Sequence, residues 1–592
     1  MRRRLQIMTR AAGLLVTAVA GFMLAATAAA AAVPAWTTYN HDGGRSATDP
    51  DSTTPVAPAV AWSTAALDGP AYAQPLVYGS RVYVATENDT IYALDAATGA
   101  VVWQRSVGTP VPAGSLPCGD ISPTVGITST PVIDPAAGRI YAVADVLAGG
   151  AVHHQLAAVD LTTGAPVAGF PVAVDPPGQD PKAILQRSAL ALDAGRVIIP
   201  YGGNDGDCST YHGWLVSVAE SGTGAQAIFE VDSAPGESQG AIWGAGDGPS
   251  QDGGGHLFVE TGNGNSSTLD YQESVVELDP SLNVIAHWAP SNWKALDSSD
   301  TDLGSSEPLP LPGGLLFVAG KDGIGRLVSA TALTATGEVF SAPVCASGGV
   351  FGASLYSAGV VYVPCSGGLR AVSLSGTSFT PRAGFSAPAA AIGPPIFAGG
   401  LVWSTGWNTG TLYGLDPATG AIRFQTAPGN FAHFATPSAG GGRLFMAAGS
   451  RVSALTIASV PPATARPPVV SPPPPKLSGV RLAPRRFTAR HGTTLRLTLS
   501  QTATVEIQVS RVFSGRTVRH RCRVGARHGR RCTVTHRARR FAFHGRAGSD
   551  RFRLNTRGLR AGGYVATIVA VGAGGRASRT VTLRFQILRS QR

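Results

Sequence analysis

The chain has 592 residues and a formal net charge of +11 at pH 7. Only 14% of its residues are charged, against about 25% in an average soluble protein, and it contains 74 glycines and 43 prolines. Lysine and methionine, which favour helices, occur four times each. This composition argues against a helical bundle or a coiled coil, and it favours an all-β protein with short strands and many turns.

Residues 1–32 have the pattern of a secretory signal peptide. Four arginines lie within the first ten residues, residues 11–26 are apolar, and an alanine-rich stretch runs to Ala32. This order is typical of a leader that is removed at a small-residue cleavage site. No later apolar run reaches the length of about 18 residues that a transmembrane helix needs. We therefore predict a secreted, extracytoplasmic protein without a transmembrane segment in its mature form.

Six cysteines follow the predicted signal peptide, and an even number in an oxidising compartment indicates disulfide bonds. None of them has the C-x-x-C spacing of zinc ribbons and thioredoxin-type redox sites. Their spacings suggest the pairs Cys118–Cys208, Cys345–Cys365 and Cys522–Cys532, while other connectivities stay open.

A proline-rich stretch, residues 461–475, divides the chain and predicts an extended polyproline spacer. The charge changes sign across it. Residues 476–592 contain 27 basic and two acidic residues, whereas residues 34–460 contain 15 basic and 34 acidic residues. The sequence therefore predicts two modules of opposite charge.

The acidic module, residues 34–460, contains eight strongly apolar strands at intervals of 40 to 60 residues. They lie at 82–86, 140–144, 197–201, 257–261, 316–320, 361–365, 401–405 and 444–448. Such a period, with several short strands in each repeat, is typical of β-propeller blades. The last repeat has no outer strand, and residues 56–67 form an unassigned strand before the first. We expect this strand to complete the eighth blade and close the ring.

The basic module, residues 476–592, alternates apolar and polar residues in short runs, which predicts a small β-sandwich. Its Leu559, Gly562 and Tyr564 resemble the final hairpin of Ig-like or fibronectin-like domains of bacterial secreted proteins. The charge of this module favours an anionic partner, such as a cell-wall polymer, a membrane surface or the acidic propeller itself. No known motif points to nucleic acid. Alternatively, the arginines simply cover the outward face of the sandwich.

The segment from Ala93 to Trp103, ALDAATGAVVW, follows the pattern A-x-D-x-x-T-G-x-x-x-W. Asp95 and Thr98 can cap a tight turn, Gly99 can take a strained backbone position, and Trp103 can wedge between blades. Weaker copies begin at Ala158 and at Gly414. The pattern resembles the tryptophan-docking repeat of quinoprotein alcohol dehydrogenase-like propellers. That repeat also builds non-catalytic assembly scaffolds, so the resemblance implies a fold more strongly than an activity.

The resemblance implies a cofactor site in the central funnel of the propeller. In quinoprotein dehydrogenases, pyrroloquinoline quinone (PQQ) stacks on a tryptophan, touches a disulfide between adjacent cysteines, and chelates Ca²⁺ or a lanthanide with glutamate, asparagine and aspartate. An aspartate acts as general base. By this resemblance, the corresponding residues are Trp243 for stacking, Asn263, Asp207 and Asp302 for the metal, Asp300 and Asp302 for catalysis, and Lys321 for a basic contact to the cofactor.

Each of these residues also has a purely structural interpretation. Trp243 can serve packing between blades, Asn263 can occupy a tight turn between two glycines, and Asp300 and Asp302 can cap a solvated loop. The chain also departs from the dehydrogenase pattern, because Cys118 stands alone at the place of the adjacent cysteines and the glutamate ligand is missing.

We therefore expect a non-catalytic binding or scaffold protein of the cell envelope. The alternatives are a divergent dehydrogenase that depends on PQQ and a metal and oxidises an alcohol or sugar, and a cell-surface adhesion protein held by its cationic module.

Overall fold

The computed structural model describes residues 35–50, 56–252, 255–334, 337–458, 475–518, 521–572 and 578–589. The predicted signal peptide lies outside these residues, as does the predicted spacer except for Pro475. The chain divides into two compact units, Met1–Pro461 and Pro462–Arg592, called the first and second unit below. Within the described segments, no helix is long and apolar enough to cross a membrane.

The first unit contains eight antiparallel sheets of four or five strands, which we number in chain order. Sheet 1 consists of Ala35–Trp36, Leu76–Tyr78, Arg81–Ala85, Thr90–Asp95 and Val101–Ser106. Sheet 2 consists of Val132–Asp134, Arg139–Ala148, Ala151–Asp160 and Val172–Ala173. Sheet 3 consists of Ile184–Leu185, Ala191–Asp193, Arg196–Gly203, Trp214–Ala219 and Ala227–Glu230. Sheet 4 consists of Ser250–Gln251, Leu257–Glu260, Val275–Leu278 and Val284–Trp288.

The remaining four sheets follow the same pattern. Sheet 5 consists of Leu309–Leu311, Leu315–Ala319, Ile324–Ser329 and Glu338–Pro343. Sheet 6 consists of Leu355–Ser357, Val360–Val363, Arg370–Ser375 and Ser378–Pro381. Sheet 7 consists of Ile396–Ala398, Leu401–Gly406, Thr411–Leu415 and Ile422–Thr426. Sheet 8 consists of Ser438–Gly440, Arg443–Ala448, Arg451–Ala458 and the early strand Val56–Ser63.

Short elements connect these sheets. A two-stranded ladder pairs Val111–Pro112 with Thr124–Val125, and a six-residue α-helix spans Trp293–Ser298. Single 3₁₀ turns lie at Ala113–Ser115, Pro181–Ala183, Gly244–Gly246 and Leu303–Ser305.

All eight predicted apolar segments form strands. Most residues of each segment are buried in the core of the first unit. The early strand Val56–Ser63 pairs antiparallel with Arg451–Ala458, as the unfinished last repeat predicts. A strand that precedes the first repeat in the sequence thereby completes the sheet of the last repeat. The all-β propeller fold is confirmed, and its eight sheets match the eight sequence repeats in number and position.

The tryptophan-docking turn has the predicted geometry. The carboxylate of Asp95 accepts hydrogen bonds from the backbone N–H and the hydroxyl of Thr98, at 2.9 and 2.8 Å, and these bonds lower the pKa of Asp95. Gly99 has a φ of 74°. Asp160 and Thr163 repeat this arrangement at the start of the next turn.

Indole side chains join neighbouring sheets across these turns. Trp103 of sheet 1 donates from its indole N–H to the carbonyl of Leu161, at 3.2 Å, beside the turn that follows sheet 2's second long strand. Trp62, on the closing strand of sheet 8, donates to the carbonyl of Ala96 at 3.1 Å and lies over Gly99. The same contact therefore links sheet 1 to sheet 2 and sheet 8 to sheet 1.

The second unit consists of two sheets that share one apolar core. One sheet contains Leu477–Ala483, Thr493–Leu499 and Gly548–Leu554. The other contains Arg486–Thr488, Val581–Leu588, Gly562–Gly572, Ala503–Val518, Arg521–Val524 and Arg531–Gly545. Leu495 and Leu497 from the first sheet and Val505 and Ile507 from the second belong to this core. Two sheets around one core form a sandwich, and its Ig-like identity stays a prediction.

The structure contains three disulfides, Cys118–Cys208, Cys345–Cys365 and Cys522–Cys532, with the connectivity that the spacings suggested. The first joins the loop after sheet 1 to the loop that follows the long strand Arg196–Gly203 of sheet 3. The second joins the segment after sheet 5 to the turn that follows the second strand of sheet 6, and the third joins two strands of the second unit.

Candidate functional site

A cavity of about 550 Å³ in the first unit is lined by segments spread along the whole propeller, from Tyr72 to Phe434. These segments lie at the ends of strands or in the loops between sheets. All six residues that the resemblance singled out line this cavity: Asp207, Trp243, Asn263, Asp300, Asp302 and Lys321. Residues separated by more than 100 positions in the sequence thus converge on one site, although their roles there stay predictions.

Asp302 and Lys321 form the centre of the polar wall. The Lys321 ammonium lies 2.6 Å from Oδ2 of Asp302 and 3.0 Å from Oδ1 of Asp300. Burial alone would lower the pKa of Lys321, but the attraction of the two carboxylates outweighs it and raises this pKa. Asp302 is buried, whereas the Asp300 side chain is 71% exposed. The lysine therefore bridges two neighbouring carboxylates at the cavity surface.

The backbone of the Gly262–Gly264 turn holds Asp302 in place. The backbone N–H of Asn263 donates to Oδ1 of Asp302 at 2.9 Å. The Asn263 side chain lines the cavity and has no hydrogen-bond partner in the described part of the chain. Its amide can therefore bind a ligand in the cavity. Gly262 permits this approach, because a Cβ there would lie 3.0 Å from Oδ1 of Asp302.

A loop rich in acidic residues forms a second part of the wall. Asp207 accepts a hydrogen bond from the hydroxyl of Tyr211 at 2.8 Å. Burial raises the pKa of Asp207, the Tyr211 bond opposes this effect, and the charges of Asp302 and Asp300 reinforce it. The neighbouring Cys208 ties this loop to Cys118. Asp207 therefore faces the Asp302–Lys321 pair from a loop that a disulfide fixes.

Aromatic rings form the apolar wall. Trp243 lies 6.4 Å from Phe351 and 6.0 Å from Phe434, measured between ring centres. Phe351 and Phe434 are stacked, with an interplanar angle of 8° and centres 5.8 Å apart. Stacked and edge-on rings at these distances attract one another beyond simple burial. The cavity thus has an apolar wall made of two stacked rings and a third ring at an angle to them.

Two cations lie against these rings. The Lys321 ammonium is 5.7 Å from the centre of Trp243, and the Arg187 guanidinium is 6.0 Å from the centre of Phe434. Arg187 donates to the backbone carbonyl of His433 at 3.1 Å. Across the described ranges, Arg187 has no carboxylate within ion-pair distance, and burial lowers its pKa. Glu87 and Asp120 act on this charge from beyond that distance, so no direct ion pair holds the guanidinium in the cavity wall.

Arg187, Phe351 and Phe434 also line the cavity, although neither the sequence patterns nor the resemblance pointed to them. A signal for Arg187 existed, because it stands between the apolar segments Ile184–Leu185 and Ala189–Leu192 in a module with few basic residues. The two phenylalanines gave no such signal, since isolated phenylalanines in a β-protein usually serve the core.

Flat rings and two cations line the cavity beside five aspartates, so a planar quinone such as PQQ fits where its acidic groups face Arg187 and Lys321. Its metal partner does not fit. The Lys321 ammonium already pairs with Asp302, one of the two carboxylates that the resemblance offers to the metal, and with Asp300. Moreover, the described residues contain no group of three or more histidine, cysteine, aspartate or glutamate side chains arranged to hold a metal ion.

Comparison with known proteins supports the fold. Residues 57–192 match the family model described as outer membrane protein assembly factor BamB. Quinohemoprotein alcohol dehydrogenase from Comamonas testosteroni has a similar structure, with a TM-score of 0.55 and 16% identity, over 73% of this chain and 82% of that chain. A europium-containing methanol dehydrogenase has a TM-score of 0.52 and 14% identity, over 72% of this chain and 98% of that chain. No curated protein matches the sequence.

These matches confirm the resemblance to PQQ-like β-propellers. The family model covers both turns that begin near Asp95 and Asp160, and the two solved structures share the arrangement of the sheets. At 14–16% identity, the likeness to these structures concerns the fold alone.

Proposed function

We propose that this protein is an extracytoplasmic binding protein whose propeller cavity takes a small, planar, anionic molecule without converting it. The observation that carries the proposal is Arg187, a cation in the cavity wall without a carboxylate partner among the described residues. A buried or half-buried charge is costly unless an opposite charge compensates it. An anion in the cavity would supply that charge.

The shape of the wall supports a planar ligand. Trp243, Phe351 and Phe434 present aromatic rings to the cavity, and Lys321 adds a second positive charge beside Trp243. A flat ligand with acidic groups can contact the rings with its faces and the two cations with its edges. The Asn263 amide, which has no partner in the described structure, can donate or accept a further hydrogen bond.

The pairing of Asp302 supports binding without turnover. A general base must be free to accept a proton from its substrate. In this structure, one oxygen of Asp302 accepts from the backbone of Asn263 and the other from Lys321, so both oxygens are engaged. The three disulfides fit the oxidising compartment in which an exported protein would act.

Calorimetric titration with PQQ as the probe tests the proposal. We expect metal-independent binding that Arg187→Gln weakens by about tenfold, the typical effect of losing a charge-assisted hydrogen bond. Arg382→Gln is the matched control, because Arg382 also donates to a backbone carbonyl but lies outside the cavity. Equal affinities of the wild type and Arg187→Gln for PQQ and for simpler aromatic dicarboxylates would contradict the proposal.

The second candidate function is a dehydrogenase that uses PQQ with Ca²⁺ or a lanthanide. The convergence of Trp243, Asn263 and Asp302 on one cavity favours it. In such an enzyme, Trp243 and Lys321 would hold the quinone, which would supply the electron acceptor, and Asp302 would accept the hydroxyl proton of the alcohol. Reduction of a redox dye by the PQQ-loaded protein in the presence of alcohols and sugars tests this function. Turnover that Asp302→Asn abolishes would replace the binding proposal, whereas tight binding without turnover would support it.

A further inference from the structure

Two rows of arginines cross neighbouring strands of the second unit. In each row, three arginines are direct cross-strand partners, so that the central arginine has another arginine on either side. The first row is Arg481, Arg496 and Arg551, and the second row is Arg523, Arg516 and Arg531.

The first row faces away from the core of the sandwich. Leu495 and Leu497, on either side of Arg496 in its strand, are buried in the core, and successive side chains of a strand point to opposite faces. Arg481 and Arg551 are exposed. Arg496 is half-buried between them, and its Nε has no hydrogen-bond partner in the described chain. Three guanidinium groups thus lie side by side on one outer surface, with neighbouring strands about 4.8 Å apart.

Among the described residues of the second unit, no carboxylate forms an ion pair with these rows. Like charges on directly opposed strand positions destabilise a sheet. Glu506 and Asp550 are the two acidic residues of residues 476–592. All ion pairs formed by described residues lie in the first unit. The aligned arginines repel one another and so weaken the sheet by itself. Because their charges lie in register, an external partner with negative charges can contact them together.

The second row lies beside a groove. Arg516 and Arg531 line an open depression of about 680 Å³, together with Gly515 and Thr533. Arg516 donates to the carbonyl of Gly529 at 2.9 Å, which holds its side chain across the hairpin. The disulfide between Cys522 and Cys532 joins the two outer strands of this row. The groove therefore has cationic walls on a covalently fixed hairpin.

We propose that the two arginine rows bind a linear phosphodiester polymer of the cell envelope. Arginine binds phosphate groups through two parallel hydrogen bonds. A phosphodiester polymer carries negative charges at regular intervals, so several of its phosphates can pair with the arginines of one row. The predicted export of the chain places the second unit where such polymers occur. This inference is independent of the ligand in the propeller cavity.

The residues around the first row favour this polymer over nucleic acid. Its outward-facing neighbours are Thr494, Thr498 and Ser549, which offer hydroxyl groups, and Arg553. Proteins that bind single-stranded nucleic acid stack its bases on aromatic side chains. No aromatic residue lies at these outward positions, so the surface can contact the charged groups of a chain but offers no platform for bases.

The experiment measures binding of the purified full chain to a fluorescent synthetic poly(glycerol phosphate) by anisotropy, over a series of salt concentrations. The test variant replaces Arg481, Arg496 and Arg551 by glutamine. The control variant replaces Arg557, Arg560 and Arg579 by glutamine. These three arginines lie at exposed positions outside both rows, so both variants lose the same total charge. We expect the test variant to lose about tenfold or more in affinity, with a slope of log K against log salt reduced by about 2–3. The control should lose less than about threefold.

Three results would overturn the proposal. Equal losses in both variants would show that net charge alone attracts the polymer. Absence of measurable binding by the wild type at low salt would show that this polymer is not the partner. Tighter binding of single-stranded or duplex DNA, compared at equal phosphate concentration, would assign the surface to nucleic acid. Misfolding does not confuse the test, because removing like charges from the row should leave the thermal midpoint equal or higher.

Discussion

Lys321 and Asp302 form a partly buried ion pair in the wall of the cavity, with the ammonium 2.6 Å from the carboxylate. The same ammonium lies 3.0 Å from Asp300 and 5.7 Å from the centre of Trp243. A single ammonium is thereby shared between two carboxylates and lies near the indole ring. A cation in the cavity would have to displace this ammonium before it could reach Asp302.

Replacing Lys321 by methionine should create a cation site. Without the ammonium, the carboxylates of Asp300 and Asp302 can share a hard cation with the Asn263 amide oxygen, the donor set that Ca²⁺ and lanthanides prefer. We expect the affinity for Tb³⁺ to rise by about tenfold or more, measured by terbium luminescence excited through Trp243.

The matched control for this prediction is Lys294→Met. Lys294 also lies over a tryptophan ring, with its ammonium 5.2 Å from the centre of Trp293, but it lies outside the cavity. This variant should bind Tb³⁺ like the wild type. An unchanged Tb³⁺ affinity in Lys321→Met would show that the ammonium is not what excludes a cation.

Much of the first unit could be predicted from the sequence, because its determinants are local. The turn from Asp95 to Gly99 is fixed by bonds between neighbouring residues and by one positive φ, so its motif identifies it. The apolar segments recur at a regular interval, and this interval also predicts that Val56–Ser63 completes the last sheet. The cavity residues could be predicted only through the family resemblance. It matches short segments of the sequence and therefore needs no knowledge of the contacts between them.

Features that depend on register or on distant packing could not be predicted. The arginine row through Arg496 exists because three strands align at one residue each, and composition does not reveal alignment. Likewise, alternation along a strand predicts that the adjacent side chains of His153 and His154 point to opposite faces and share no partner. Both rings nevertheless contact Asp175, at 2.9 Å each, because this residue lies on a neighbouring segment.

The stability of the protein should fall as the pH rises, in part because of Asp89. Both carboxylate oxygens of Asp89 are buried without a hydrogen-bond partner in the described structure. Burial, reinforced by Asp145 and Glu87, raises the pKa of Asp89 from 3.8 to about 9. The folded state therefore holds a proton that the unfolded state releases. This contribution to stability is complete below pH 4 and is lost as the pH rises towards 9.

Asp89→Asn should remove this dependence on pH. At pH 8 we expect the variant to be more stable than the wild type by about 1–3 kcal/mol, in urea unfolding followed by tryptophan fluorescence. Asp95→Asn is a control of opposite sign, because turn hydrogen bonds lower the pKa of Asp95 and stabilise the charged form. A decline from pH 5 to 9 that is equally steep in Asp89→Asn and the wild type would exclude Asp89 as its source.

Gly164 should tolerate no side chain, because the indole of Trp103 lies directly over it. A Cβ at this position would lie 2.6 Å from the ring, and the φ of Gly164 is 68°. We expect Gly164→Ala to lower the free energy of unfolding by about 2–5 kcal/mol, the sum of backbone strain and overpacking.

Gly195→Ala separates these two effects. Gly195 has a similar φ of 78°, but a Cβ there would have no neighbour within 4 Å. This variant should lose only the strain, about 1–2 kcal/mol. Equal losses in both alanine variants, measured by urea unfolding, would mean that contact with Trp103 contributes nothing to the requirement for glycine.

The disulfide between Cys118 and Cys208 should maintain the cavity as well as the fold. Cys208 directly follows Asp207, which lines the cavity, and Gly206 lies close enough that a Cβ there would be 3.6 Å from the sulfur of Cys118. Replacing both cysteines by serine should free this loop. Binding of a ligand would then have to order the loop, and this ordering would cost part of the binding free energy. We expect weaker binding of PQQ, by about three- to tenfold, in calorimetric titration.

Serine variants of Cys522 and Cys532 provide the control, because that disulfide lies in the second unit and closes a short loop. They should leave PQQ binding unchanged. The Cys118 and Cys208 variant should also lose about 2–5 kcal/mol of stability, which thermal unfolding measures separately from affinity. A loss of stability with unaltered affinity would show that the disulfide stabilises the propeller without shaping its cavity, because the loop that carries Asp207 would then hold its position through the Tyr211 hydrogen bond alone.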